Sequence, residues 1–179
     1  MIVAIIPAKG ESSRLANKNM AQVNAKPMIY YSIEYVKQSK LVDEIYISTD
    51  SDAIADYAKS QDVKVIRRGA ELSGDAPIVE VYYHALNSLD NPNIDIVAGI
   101  QPDHPDRRVE LDKALTYLLE KKYDELLTVD GAGSTNGSLK IMKAKLLRER
   151  TFVKVATMMD DCTNIHHLDD LKQAEKNLA

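Results

Sequence analysis

The sequence predicts an α/β protein, a three-layer α/β/α sandwich on a mostly parallel, twisted sheet. Short β-branched runs alternate with helical periods at the spacing of crossover units. Those runs are apolar on both faces, as strands covered from both sides must be. No linker, repeat or low-complexity tract interrupts the 179 residues, a length that predicts one domain, 1–179.

Ile2 to Pro7 (IVAIIP) reads as a buried strand that stops at its proline. A polar loop follows. From Lys26-Pro27-Met28 to about Gln38 a helix places Ile29, Ile33 and Val36 on one face, with Pro27 suited to its first turn. Glu44 to Ser48 is a second strand, and Ser51 or Asp52 caps a helix presenting Ile54, Tyr57 and Ala58. Val63 to Ile66 is a third strand and Pro77 to Leu89 a helix, with Asp75 as its expected cap. Ile94 to Ile100 is a fourth strand. Val109 to Lys121 is a helix aligned on Leu111, Leu115 and Leu118, and Glu125 to Val129 a fifth strand. After that, Leu139 to Met142 and Phe152 to Ala156 read as strands around a short charged segment. Asp169 to Leu178 closes the chain as a helix started by Asp169 or Asp170.

Bulk properties narrow the function. Lys and Arg number 23 against 27 Asp and Glu, a net charge of −4, which argues against long-range attraction to nucleic acid. The single cysteine, Cys162, precludes an internal disulfide and a cysteine-based zinc cage. It reads as a small core residue rather than a nucleophile. No apolar run approaches a membrane span, and the chain enters a strand directly instead of a signal peptide. The expectation is a cytoplasmic protein with no membrane partner.

The informative stretch is the loop after the first strand. Lys9, Arg14 and Lys18 lie there among Gly10, Ser12, Ser13 and Asn19. Cations and small donors at the carboxyl end of a central parallel strand suit an anionic ligand, above all nucleotide phosphates. A solvated basic loop is the plain alternative. The Walker spacing G-x-x-x-x-G-K-[ST] is absent. Where parallel strands end along one edge, the loops after strands one, three and four meet, which would bring Arg68 and Gln101 to the same cations.

Residues 5–19 (IIPAKGESSRLANKN) resemble the opening motif of the sugar-acid cytidylyltransferases, the CMP-sialic acid and CMP-Kdo synthetases, which runs IIPAR-x-x-SKRLP-x-KN. Lys9, Ser13 and Ala16 depart from it, standing where that family usually has Arg, Lys and Pro. Arg68 to Asp75 (RGAELSGD) resembles the family's R-P-A-E-L-A-x-D segment, and Ile100 to Arg107 (IQPDHPDR) its L-Q-P-T-S-P-L-R. Asn136-Gly137-Ser138-Leu139 is similar to R-x-N-G-A-I-Y, with Ser134 at the arginine's position. The tail from Thr163 to Glu175 is similar to D-I-D-T-x-x-D-L-x-x-A-E.

The resemblance implies a nucleotide-diphospho-sugar transferase-like fold and an enzyme that transfers CMP from CTP to a sugar acid, with release of pyrophosphate. Its expected partners are CTP and a small anionic acceptor, with a homodimer left open. Lys9, Ser12, Arg14 and Asn19 would hold the nucleotide and Lys18 and Gln101 would serve the reacting centre. Arg68 would read cytosine, whose O2 and N3 accept from a guanidinium. Gln101 and Asn136 would face the acceptor. Asn136-Gly137 is equally a turn signal in its own right.

Arg107 reads as structural, tying its loop to a carboxylate. Mg²⁺ is expected by the same resemblance, but the family's metal aspartates fall on Asn164 and His166, which supply no charge. Either Asp103, Asp160, Asp161 or the ligand phosphates hold the ion, or His166 takes a softer metal, or activity is weak or absent. His104 reads as a loop residue, and His166 with His167 makes a poor zinc site. Between Val129 and Asn136 the family carries some tens of residues for sugar binding and dimerisation, where this chain has only Asp130 to Thr135. Two rivals stay open: a nucleotide-binding module of the same fold with reduced catalysis, and a transferase for a smaller phosphate or phosphonate acceptor.

Overall fold

A computed structural model describes residues 1–12, 14–74 and 76–179. The expected cap Asp75 and the departure at Ser13 therefore lie outside the described residues. A seven-stranded sheet forms the middle layer, in the order β5-β4-β1-β6-β8-β7-β9. Its strands are β1 (Ile2–Pro7), β4 (Glu44–Thr49), β5 (Lys64–Arg67), β6 (Ile96–Ile100), β7 (Glu125–Val129), β8 (Thr135–Lys143) and β9 (Val155–Met159). The two-residue strands β2 (Gln22–Val23) and β3 (Lys26–Pro27) pair separately. β5, β4, β1 and β6 are mutually parallel, β8 runs against β6 and β7, and β9 is parallel to β7.

Both faces are covered. β1 sends Ala4 and Ile6 into one core and Val3 and Ile5 into the other. Helices α1 (Met28–Lys37), α2 (Asp52–Ser60) and α4 (Leu111–Glu120) cover the first face through Ile29, Ile33, Ile54, Leu115 and Leu118. Helices α3 (Ile78–Ser88) and α5 (Ala144–Glu149) cover the second through Tyr82, Leu86 and Leu147. Helix α6 (Leu168–Asn177) seals a smaller cluster with Val23, Met28 and Ile165. The three-layer α/β/α expectation holds, as do the first five strands to within two residues. Ser51 is the α2 cap, its Oγ accepting from Ile54 N at 3.4 Å.

The last fifty residues depart from expectation. The charged segment after β8 is helix α5, because Ala144 and Leu147 are buried among strong helix formers. Arg150, at φ 55°, ends that helix in the left-handed region. The last strand is Val155–Met159 rather than Phe152 to Ala156. Phe152 packs into the second core, and Asp124 takes the Lys154 N–H at 2.9 Å, so pairing with β7 begins only at Val155.

Asn136-Gly137 is no turn: the turn spans 130–134, where Asp130 Oδ1 accepts from Ala132 N and Ser134 N. Both residues sit inside β8, opposite a register shift between Leu127 and Val129, and Gly137 adopts φ +83°. That left-handed φ favours glycine. α6 begins after His167. Asp170 serves it from within the first turn, its carboxylate accepting from His166 N at 2.8 Å and His167 N at 2.7 Å.

Candidate active site

Strand order places a cleft. β4 and β5 lie on one side of β1, and β6 lies on the other. In an open parallel sheet, ligands bind above the carboxyl ends of the strands at such a reversal. The loops leaving Pro7 and Ile100 border a cleft there. Its walls include Lys9, Lys18, Asn19, Arg68, Gln101 and Asp103. Five sequence-predicted site residues are thus brought together across 92 positions of chain. Ser12 and Arg14 are not among the lining residues, and Arg14 is exposed. Its charge is instead felt at His166, which burial first, and then Arg14 and Lys18, hold below the usual histidine range.

The loop from Ala8 is held from below. Asn19, 4% exposed, donates from Nδ2 to Lys9 O at 2.8 Å. Lys9 Nζ reaches across the cleft to Gly74 O at 3.0 Å. Arg68 is half-buried, and its Nε is buried without a hydrogen-bond partner among the described residues. Arg67 faces away, paired with Asp52 at 2.7 Å. Of the two arginines, Arg68 is the one that lines the cleft, with a buried donor left for a ligand among the described residues.

Lys18 is committed more firmly. Its Nζ donates to Asp103 Oδ2 at 2.7 Å and to Ile165 O at 3.0 Å. Burial opposes the Asp103 charge, but the adjacent His104 and Lys18 more than compensate and hold its carboxyl well below the usual range. His104 is fully buried, its Nδ1 3.2 Å from Asp103 Oδ1, so it is a packed residue rather than a solvated loop residue. The pairing arises because Ile165 N donates to Asp103 O at 2.9 Å, which docks the C-terminal segment on the loop after β6.

Gln101 is set by its surroundings. Arg107 donates from Nη2 to Gln101 O, from Nη1 to His104 O at 2.6 Å and Ser32 Oγ at 3.1 Å, and from Nε to Ser138 O at 3.1 Å. Arg107 is structural as expected, but it ties the loop through carbonyls and a hydroxyl, not a carboxylate. A Cβ at Gly137 would stand 2.6 Å from Gln101 Nε2, so the β8 bulge gives this side chain its room. Asn136 is spent internally: Oδ1 accepts from Thr128 Oγ1 at 2.7 Å and Ser138 N at 3.1 Å, and Nδ2 donates to Asp160 O at 2.6 Å.

Among the described residues no three His, Cys, Asp or Glu side chains converge on a metal position. Asp160, 1% exposed, is occupied by Arg108 N and Ser138 Oγ, and does not line the cleft. Asp103 does line it, and its Oδ1 is buried with no hydrogen-bond partner among the described residues. Mg²⁺ at nucleotide sites is usually held by one or two carboxylates plus substrate phosphates, and Asp103 fits as a single such anchor.

Sequence reasoning missed two carboxylates that shape this cleft. Asp106 accepts from Thr163 N at 2.8 Å and Thr163 Oγ1 at 2.7 Å, pinning the C-terminal segment. Asp50 accepts from Gly10 N at 2.8 Å and from Ser73 Oγ at 2.5 Å. The only signal for Asp50 was its place at the carboxyl end of the strand next to β1.

Fold and cleft together define an α/β protein with a cationic loop after its first strand, bordering a cleft at the sheet's reversal point. The family model for cytidylyltransferases matches residues 3–178, and the chain belongs to that family. It is 40% identical over 119 residues to a 3-deoxy-manno-octulosonate cytidylyltransferase of Francisella tularensis subsp. tularensis, covering 65% of this chain and 46% of the relative. It is 33% identical over 104 residues to an 8-amino-3,8-dideoxy-manno-octulosonate cytidylyltransferase of Shewanella amazonensis, covering 58% and 41%. The matches thus span about half the length of these curated relatives.

Among solved structures, CMP:2-keto-3-deoxy-manno-octonic acid synthetase complexed with CTP superposes with a TM-score of 0.79 at 14% identity, covering 99% of this chain and 98% of that one. The 4-diphosphocytidyl-2C-methyl-D-erythritol synthase of Anaerococcus prevotii gives 0.70 at 17% identity, covering 99% and 95%. At those identities the likeness establishes the fold. Among the described residues no helix is long and apolar enough to cross a membrane.

Proposed function

We propose that this chain transfers CMP from CTP to a hydroxyl oxygen of a small sugar acid, releasing pyrophosphate. The observation that supports this reading most is the gathering of Lys9, Lys18, Arg68 and Gln101 around one cleft at the sheet's reversal point. The octulosonates in the relatives' names support an acceptor of that class.

The chemistry needs no protein nucleophile. An acceptor oxygen attacks the α-phosphorus, a new P–O bond forms, and the bond to the β-phosphate breaks. Pyrophosphate leaves and the hydroxyl proton passes to solvent. Catalysis then rests on positioning and charge neutralisation. Lys9 neutralises the distal phosphates from the loop after β1, with Asn19 holding that loop in place. Arg68 donates to the cytosine edge. Lys18, tethered by Asp103, sets a fixed cation at the reacting phosphate, and Gln101 orients the attacking oxygen. Asp103 would be the one carboxylate to hold Mg²⁺, which would supply further neutralisation of the triphosphate. Arg14 contributes to the loop's positive potential rather than direct contact, and Ser12 is given no ligand role.

Pyrophosphate release from CTP with a 3-deoxy sugar acid tests the reading, and CTP failing to bind at millimolar concentration rejects it. One observation favours a second reading, a nucleotide-binding module without turnover: the Asn136 amide is consumed inside the protein. Calorimetric binding of CTP without turnover on any sugar acid, phosphate or phosphonate supports that module. A single cysteine suits a reducing cytoplasm, and sedimentation velocity tests the homodimer.

A further inference from the structure

Asp50 ends β4 beneath the cleft, where two loops meet. Its Oδ1 accepts from Gly10 N at 2.8 Å, on the loop that carries Lys9. Its Oδ2 accepts from Ser73 Oγ at 2.5 Å, on the loop after Arg68. The first loop lies so close that a Cβ at Gly10 would stand 2.9 Å from Ser51 Cβ. Above Asp50 the same two loops touch again, through Lys9 Nζ and Gly74 O at 3.0 Å. Burial opposes the Asp50 charge, but bonds from Ser73 and Gly10, its own N–H and the nearby Arg68 guanidinium hold the carboxyl below its usual range. An anion here bonds both loops more strongly than a neutral acceptor can.

We propose that Asp50 is a positioning residue that ties the phosphate loop (8–12) to the base-side loop (69–74), so that both ends of a nucleoside triphosphate meet a preset clamp. It touches no ligand itself. It acts through the Gly10 backbone on one side and Ser73 on the other, and preset loops spare a ligand the entropy of ordering them. The proposal rests on the reading of this cleft as a CTP site, and its test separates the two.

The experiment is calorimetry of wild type, D50N, S73A and S73T with two probes, CTP and inorganic triphosphate, alongside thermal midpoints of the free proteins. In D50N both probes weaken, CTP by about tenfold, the scale of one lost charge-assisted bond. In S73A only the base-side loop is released. CTP weakens by about threefold, inorganic triphosphate binds as to wild type, and S73T, which keeps the hydroxyl, restores CTP affinity. A merely structural role would shift the midpoint and weaken both probes alike in S73A. CTP bound by D50N or S73A as tightly as by wild type overturns the proposal while leaving the CTP site standing. Wild type that fails to bind CTP overturns the site and the clamp together.

Discussion

The two halves of the sheet treat polar groups in opposite ways. Above β5, β4, β1 and β6, donors line a cleft: among the described residues Arg68 Nε has no partner and Lys9 Nζ bonds only a carbonyl. Around β8, β7 and the start of the C-terminal segment, a group of polar side chains is spent internally. Asn136, Ser138, Asp160 and Arg107 form a bonded lattice under the loop after β6, and Asp106 separately holds Thr163 and Asn177. A buried polar group that has its partners stabilises one structure, whereas one without them is a cost that a ligand can relieve. On the proposed reading, the first half binds the ligand and the second holds the first in shape.

Substitutions can break that contrast. The largest effect is expected at Asp160. D160A strips the acceptor from Arg108 N and Ser138 Oγ, and urea unfolding is expected to lose about 3 kcal/mol. An unchanged midpoint would mean the lattice is not what holds this half. On the other side, K9A is expected to leave the unfolding midpoint within error and weaken CTP about tenfold by calorimetry, since among the described residues the Lys9 ammonium bonds only the Gly74 carbonyl.

A smaller effect separates Asp103 from both. Its carboxyl is held below the usual range in the folded state, so the unfolded chain takes up the proton first as pH falls. The stability it contributes is fully present above about pH 4, the ordinary aspartate value, and is lost as pH falls from there through the folded pKa. Unfolding curves for wild type and D103N should therefore keep a constant gap between pH 7 and 5 and converge only below about pH 4. Convergence already by pH 5 would show the Lys18–Asp103 pair to be weak. The smallest effect belongs to Cys162. Burial, and then Asp160, push its thiol up to about 12, so alkylation by iodoacetamide at pH 8 should be slow in the native protein and fast after denaturation.

Legibility followed the same divide. The parallel half could be read because each β-branched run is apolar on both faces, and its loops carry Lys9, Lys18, Arg68 and Gln101 at strand ends. The antiparallel half could not, because its elements are set by partners distant in sequence. Asp124 fixes where β9 begins, and the register shift opposite β8 turns Asn136-Gly137 from a turn into a bulge. Arg14 was read with its loop neighbours as a phosphate ligand, yet side-chain direction in a loop has no period to read, and it is exposed and not among the residues lining the cleft.

By itself, then, the order of residues determined the layered fold and the place of a cationic cleft, because hydrophobic periodicity and strand-end position are local properties of the chain. Which of those cations stay free was decided only in three dimensions. Lys18 meets Asp103 across 85 positions, and Gly10 meets Asp50 across 40. Contacts so far apart form only when the sheet has closed and the C-terminal segment has docked upon it.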